Sequence, residues 1–472
     1  MKILLTGVTG YIGKRLLPVL VAHGHKVVCV VRDRNRLSLP PSIVPLVDVV
    51  EADFFQKETL QAIPLDIDAA YYLIHSMSTS EKFMEMEQQC AVNFREAIER
   101  TSAKQVIYLS GIVNDAALSY HLSSRKMVED ALQSDKYSLT TLRAGIIVGS
   151  GSASFEIMRD LVEKLPIMIA PKWLRTLCQP IGVADVIQFL DASLLNQQTF
   201  NRNFDIGGSD ILSYKDMLLG YARVRRIKRS IFIVPVMTPK LSSYWLYFIT
   251  STSFKLASAL VDSMKVEVVC RDNEINQILG ITPMSYSQAI ERALAVIDDN
   301  QIVSSWKDAF SSSNLNFRIS DFLSVPSHGC FKDKKSYRVA SHEKCVANIW
   351  SIGGSKGWYF ANWLWLVRGF IDKLFGGVGL RRGRTHSTEI APGDAIDFWR
   401  VLYANKEESR LLLYAEMKLP GEAWLEFKVK GGRLFQVATF RPKGLLGRLY
   451  WIMLYPAHIF IFRIMAKRIA TQ

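Results

Sequence analysis

Along the chain, short unbroken apolar runs alternate with stretches whose apolar positions recur every three or four residues. Residues 2–6, 25–31, 47–51, 68–74, 105–110 and 138–148 are the apolar runs, each of strand length. Between them, residues 12–23, 81–101 and 122–134 carry the helical period. A strand that is apolar at every position must be covered on both faces, so the alternation predicts an α/β fold, a doubly wound parallel-sheet Rossmann domain. Residues 150–300 continue as mixed helix and short strand. Ile206-Gly207-Gly208 followed by Ser213-Tyr214 reads as strand, turn and helix start. Residues 241–261 are apolar but interrupted by Ser, Thr and Lys255, which predicts a packed or partner-facing helix and not a membrane span.

After residue 300 the pattern changes. Residues 301–316, with Ser311-Ser312-Ser313-Asn314, have linker character. Residues 337–339, 411–418, 423–430 and 433–439 are strand-like, and the last three are joined by the short turns Pro420-Gly421 and Gly431-Gly432. Short turns between strands specify an antiparallel meander. A long apolar helix pattern with basic ends runs from 447 to about 469. The expected organisation is a nucleotide-binding domain over 1–300, with its core in 1–150 and a substrate-side part in 151–300. A linker over 301–320 and an α+β antiparallel-sheet domain with a long C-terminal helix over 321–472 follow.

Composition narrows this picture. In 472 residues, 49% are hydrophobic, enough for full cores, and low-complexity tracts are absent. The net charge of +14 is uneven: residues 321–472 carry 24 Lys and Arg against 12 Asp and Glu, whereas the first 320 carry 34 against 32. The last third therefore has the charge to face an anionic lipid, nucleic acid or acidic ligand, or simply a basic solvated surface. Its basic residues form no local stripe and no nucleic-acid module is present, so nucleic acid is the weakest of these. Six cysteines stand apart with no CxxC pair, which fits reduced thiols in a cytoplasmic protein and gives no reason to expect a metal site. The start, MKILLTG, reads as a first strand and lacks the apolar region and cleavage site of a signal peptide.

The chemistry concentrates at the end of that first strand. Gly7-Val8-Thr9-Gly10-Tyr11-Ile12-Gly13 lies between a strand and a helix, the context in which glycine spacing binds a dinucleotide. Gly7 permits the tight turn, Gly10 lets backbone approach a diphosphate, and Gly13 lets the helix pack close; Thr9, Tyr11 and Ile12 complete the loop. Free amides and the helix dipole then hold the phosphates. The second strand ends in Arg32 where an NAD site usually places an acid, and Arg34 and Arg36 follow. Guanidinium groups suit a 2′-phosphate, so NADP is expected over NAD, with Asp33 keeping NAD open. Asp53, with Phe54 beside it, is placed to meet the adenine, and Leu73, Ile74 and His75 run beside the ribose and diphosphate.

TGVTGYIG, Ala52-Asp53, Tyr72-Leu73-Ile74-His75 and Tyr108-Leu109-Ser110-Gly111 together resemble the atypical short-chain dehydrogenase/reductases, in their NmrA-like and complex-I-subunit-like branch. The stretches HLSSRKMVEDAL, LRAGIIVGSGSASFEIMRDLVEKLP and QPIGVADV are similar to YbjT-type bacterial NAD(P)-binding proteins, and TFRPKGLLGRLYWIMLYPAH resembles the C-terminal domain of unknown function that those often carry. The resemblance implies a Tyr-x-x-x-Lys pair followed four residues later by Glu. With Glu129 as that landmark, the pair here is His121 and Arg125, and Tyr120 is out of register. His121 has the chemistry of a general acid near neutral pH. Arg125 can grip a ribose but cannot exchange protons. Ser110 holds the place of the family's carbonyl-orienting serine. A Ser110–His121–Arg125 reductase site and a non-catalytic cofactor binder, whose His121 and Arg125 only pack or pair, both remain open. After the sixth strand, Gly149 to Phe155 lies on the substrate side, with Arg143 and Phe155 bordering a pocket; Ser152 or Ser154 also reads as a helix N-cap.

The C-terminal meander and helix resemble the helix-grip architecture of START and polyketide-cyclase-like domains, which implies an apolar small-molecule or lipid ligand. Trp350, Trp358, Phe360, Trp363, Trp365, Trp399, Trp424, Phe427, Tyr450 and Trp451 would line a pocket there or fill a core. Residues 449–462 are too few to span a bilayer. A buried helix is their first reading; an interfacial helix, placing the protein peripherally at the inner membrane face, is the second.

Overall fold

In the computed structural model the described residues are 1–34, 37, 39, 43–74, 81–112, 120–234, 258, 261, 264–298, 325, 329–353, 356–375, 377, 379 and 389–472, without the side chains of 81–83, 120–123 and 296–298. They divide into two units, Met1–Ser312 and Ser313–Gln472. The expected linker over 301–320 and most of the helix read over 241–261 lie outside the described residues.

In the first unit seven strands form one parallel sheet: β1 (Lys2–Leu5), β2 (Lys26–Val31), β3 (Val47–Glu51), β4 (Ala69–Tyr72), β5 (Gln105–Gly111), β6 (Ser138–Ala144) and β7 (Arg202–Ile206), in the order β7-β6-β5-β4-β1-β2-β3. Side-chain alternation sorts the central strands between two cores. Ile3, Leu5, Val27 and Cys29 face one side, where α1 (Gly13–Ala22) and α5 (Val183–Ala192) cover them. Leu4, Val28, Ala70 and Tyr72 face the other, under α2 (Glu81–Ile98) and α3 (Tyr120–Ala131). The chain reverses its strand order between β1 and β4, and the crevice at that switch point is where a nucleotide site belongs.

The run read as one strand over 138–148 is broken at Gly145. β6 ends at Ala144, and Ile147–Val148 pairs instead with Ile181–Gly182. A Cβ at Gly145 would lie 2.8 Å from the Gln179 carbonyl oxygen, so the crossing segments meet only where a side chain is absent. Beyond it α4 (Ala153–Lys164), α6 (Tyr214–Val224) and α8 (Tyr286–Asp298) enclose a third apolar core around Phe155, Met217 and Tyr221. The short α7 (Glu274–Leu279) packs by β7.

The second unit is an antiparallel sheet of six strands. β8 (Phe331–Arg338), β9 (Ala395–Ile396), β10 (Trp399–Asn405), β11 (Arg410–Ala415), β12 (Gly421–Lys430) and β13 (Arg433–Pro442) run in the order β8-β13-β12-β11-β10-β9. Three helices accompany it: α9 (His342–Ile349), α10 (Asn362–Leu374) and α11 (Gly444–Thr471). The tryptophans are core. Trp358 stacks on Trp365 at 4.7 Å between ring centroids, donates its Nε1–H to Asp397, and lies 6.2 Å from Trp399. Trp363 is the departure, 64% exposed on α10.

The reading of residues 449–462 as a buried helix is corrected. α11 is 28 residues long; its C-terminal half packs Phe462, Met465, Ile469 and Ala470 into the core, but Leu449, Ile452, Met453 and Phe460 lie open. Between Leu449 and Ile461 only Trp451 is buried, stacked on Phe331 and Phe440, while His458 is partly covered by Trp451 and Phe462.

Candidate functional site

Thr6 closes β1 onto β4: its hydroxyl donates to the Tyr71 carbonyl at 2.9 Å and accepts from the Leu73 amide at 3.0 Å. Gly7 follows with φ +65°, and a Cβ there would come within 2.5 Å of the Leu73 carbonyl oxygen. Neither condition admits another residue. At Gly13 a Cβ would sit 2.4 Å from the Gly7 carbonyl oxygen, so the turn and the first turn of α1 are in backbone contact. Gly10 differs: a Cβ would meet only the Gly7 oxygen, at 3.0 Å, and otherwise points into open space. The N-terminus of α1 has no side-chain cap and no acid in its first turn. Its dipole end is thus left for an external anion. A cradle that a side chain would fill, under an uncapped helix start, fits a dinucleotide's diphosphate.

On the adenosine side, Arg32 stands exposed one residue past β2, while Asp33 is buried at 2% exposure. Arg34 is committed elsewhere, its Nη2 donating to the Val49 carbonyl at 2.6 Å; Arg36 lies outside the described residues. The Asp53 carboxylate accepts the Phe55 amide at 3.0 Å, and the Asp53 amide donates to Thr59 Oγ1 at 2.9 Å. Phe54 turns its ring into the core, 5.6 Å from Phe94, and its carbonyl accepts from Asn93 Nδ2 at 2.7 Å. Cys90, on α2, is a neighbour that the sequence did not single out. Burial and then Asp53 push its thiol up to about 12, and Arg32 opposes them. Leu73 and Ile74 follow β4, half-buried; His75 lies outside the described residues.

On the reaction side, Ser110 is buried near the carboxyl end of β5, and Arg125 of α3 donates from Nη1 to the Leu109 carbonyl at 3.0 Å. The two residues are therefore brought together across the β5–α3 contact. The Tyr108 phenol lies between them and the core. Burial raises it, and the Arg125 charge and Ser110 hydroxyl moderate the shift. His121 belongs to α3 one turn before Arg125, with its side chain outside the description. Glu129, the register landmark, is buried in a bidentate pair with Arg143, at 3.1 Å to Nε and 2.7 Å to Nη2, and accepts from Asn203 Nδ2 at 3.1 Å. Arg143, expected at a pocket rim, is instead part of the interior, and so is Phe155, fully buried 5.8 Å from the Tyr221 ring.

The loop after residues 147–148 is tied to the glycine loop by a bridge that sequence spacing could not reveal. Arg15 donates to the Tyr11 carbonyl at 3.0 Å and to the Ser150 carbonyl at 2.9 Å, and its guanidinium lies 4.0 Å from the Tyr11 ring centroid. The Tyr11 hydroxyl reaches Gly149, where a Cβ would be only 2.6 Å away. Burial pushes this phenol up to about 12, against the pull of Arg15. Ser152 caps α4, accepting from the Phe155 amide at 3.2 Å. One cation thus joins the glycine loop to the loop that follows residues 147–148.

A seven-stranded parallel sheet with an open helix start at its switch point defines a dinucleotide-binding Rossmann domain. Residues 7–150 match the family described as NAD(P)H-binding, and residues 328–465 match a family described only as a protein of unknown function, DUF2867. The first unit therefore carries an NAD(P)H-binding domain. The chain is 24% identical over 239 residues to the photosystem II assembly factor Ycf39 of Trieres chinensis, covering 48% of this chain and 72% of that one. It is 28% identical over 116 residues to an uncharacterized protein of Saccharomyces cerevisiae, 24% of this chain, and spans 39% of that protein's length. Its fold matches a nucleoside-diphosphate-sugar epimerase from Staphylococcus aureus with a TM-score of 0.50 at 15% identity, over 62% of this chain and 100% of that chain.

Proposed function

We propose that the protein is an NADPH-using oxidoreductase that reduces an apolar carbonyl or quinone at the carboxyl edge of its parallel sheet. The Arg125 guanidinium on the carbonyl next to Ser110, near the carboxyl end of β5, supports this reading. The exposed guanidinium of Arg32 favours a 2′-phosphate, and so NADPH over NADH. The bound dinucleotide supplies a hydride. Ser110 orients the carbonyl oxygen. Arg125 holds the nicotinamide ribose by charge and does not exchange protons, so the proton comes from His121 or from solvent. In the second unit, the antiparallel sheet packed on the C-terminal half of α11 supports a helix-grip assignment.

NADPH oxidation with a panel of quinones and aldehydes tests the reading. Ser110→Ala should lower kcat about a hundredfold and leave NADPH affinity unchanged. The second reading is a non-catalytic redox sensor or membrane-associated assembly subunit, favoured by the likeness to an assembly factor and by an arginine at position 125. Tight NADPH binding without turnover of any substrate would establish that one and remove the first.

A further inference from the structure

The second unit leaves uncovered what a folded domain ordinarily buries. On α10, Trp363, Leu366, Val367, Phe370, Ile371 and Leu374 recur at helical spacing, and all are exposed. Trp365, Gly369 and Asp372 on its other side are buried. On α11, Leu445, Leu446, Leu449, Ile452 and Met453 make a second such stripe, with Leu446 74% and Met453 73% exposed. The two helices are neighbours. The Arg368 guanidinium lies 5.5 Å from the Tyr450 ring centroid, and the Trp365 and Phe462 rings are 6.2 Å apart. Exposed apolar surface concentrated on two adjacent helices marks a contact with another phase or partner.

The charge around it selects the occupant. After Glu426 the chain has no Asp or Glu, while Lys443, Arg448, Arg463 and Lys467 are exposed along α11 and its entry. The acid within α10, Asp372, is buried and accepts the Lys418 and Gly379 amides, each at 2.8 Å. Near Phe460, whose ring meets Phe360 at 5.5 Å, Lys356 and Arg468 border an open cleft of about 430 Å³. Apolar stripes ringed by cations complement an anionic phospholipid surface. A second copy of the same face would bring cation against cation.

Spanning is a different matter. α11 has a mean hydropathy of 1.4 over its most apolar window, and only 22% of that window is buried. Yet Phe462, Met465 and Ile469 belong to the core of the unit, so the helix cannot cross a bilayer without emptying it. The exposed stretch, residues 445–460, is about 24 Å long at about 1.5 Å per residue, short of the roughly 30 Å hydrocarbon core.

We propose that α10 and the N-terminal half of α11 form a peripheral docking surface that lies in the headgroup region of an anionic membrane. This goes beyond the reductase reading and does not depend on it. The test is flotation of the full chain with vesicles of phosphatidylcholine alone or mixed with phosphatidylserine. The protein should float with the mixed vesicles, far less with the neutral ones, and be released as salt rises. Phe370→Glu combined with Leu446→Glu should lower vesicle affinity at least about tenfold. Lys443→Gln and Arg448→Gln should each lower it about fivefold. All these positions are exposed, so NADPH affinity and the melting curve should match the parent and certify the fold. Absence from both kinds of vesicle would overturn the proposal. So would flotation that survives Phe370→Glu with Leu446→Glu, or a concentration-dependent dimer that this pair dissolves while vesicles go unbound.

Discussion

The two units are incomplete in opposite ways. At its switch point the first leaves a helix start with no side-chain cap, beside a glycine whose Cβ position opens onto free space. The second leaves apolar side chains in the open along α10 and α11. What is missing from each indicates what arrives: a diphosphate at one, an apolar surface at the other. Their interiors are closed alike, each by an arginine–glutamate pair.

Those pairs give the sharpest test of how alike the interiors are. Arg400 and Glu416 are both 0% exposed, joined at 2.7 Å, and Arg400 Nη1 also donates to the Gly393 carbonyl at 2.6 Å. Arg400→Leu strands a buried carboxylate and should cost the second unit about 4 kcal/mol in denaturant melts. Arg143→Leu should cost the first unit less. There Lys126 Nζ lies 3.8 Å from Glu129, and Asn203 still donates to it. Equal losses would mean that Lys126 and Asn203 do not compensate.

The next largest difference is in pH response. His458 sits in α11 between Trp451, at 5.2 Å, and Phe462, at 4.2 Å. Burial lowers its imidazole from the ordinary value of 6.5 to about 4; Asp333 opposes the shift, while Arg368 and Lys335 add to it. The unfolded chain therefore binds the extra proton first as pH falls. Stability of the second unit should be full above about pH 6.5, decline through the window, and level off below about 4, a loss of about 3 kcal/mol. Calorimetric melts between pH 7 and 4 should show this in the parent, and His458→Leu should flatten it. A slope unchanged by that substitution assigns the effect to other groups.

The smallest expected effect concerns cofactor choice. Arg32→Ala should weaken NADPH about tenfold in fluorescence titrations and leave NADH within about twofold. Parallel losses for both would remove the 2′-phosphate assignment.

Legibility in the sequence follows the range of the forces involved. The glycine loop and the central strands could be read because both are local: a spacing of glycines, and apolar runs that only a covered sheet explains. β7 was legible only at its end, Ile206, because Arg202-Asn203-Phe204-Asp205 belongs to an edge strand, open at its start and without an apolar run. β10 escaped because Arg400, which reads as a surface position, is fully buried by a partner sixteen residues away, and a bulge between Val401 and Tyr403 breaks the alternation. For residues 449–462 a buried helix came before an interfacial one, because burial is the usual fate of such side chains and sequence carries no record of which face goes uncovered. The Arg15 bridge to Ser150 joins positions 135 residues apart, so no local pattern announces it.

Binding of a dinucleotide's diphosphate by the amides of the first crossover underlies the proposed function. Calorimetric titration of the full chain with NADPH, beside a Gly10→Glu variant, tests it most directly. Saturable heat with one site per chain is expected, and at least a hundredfold weaker binding, roughly 2.7 kcal/mol, when a carboxylate is placed in the open space beside Gly10. No heat with any oxidised or reduced nicotinamide dinucleotide, or equal affinity in the variant, would contradict it.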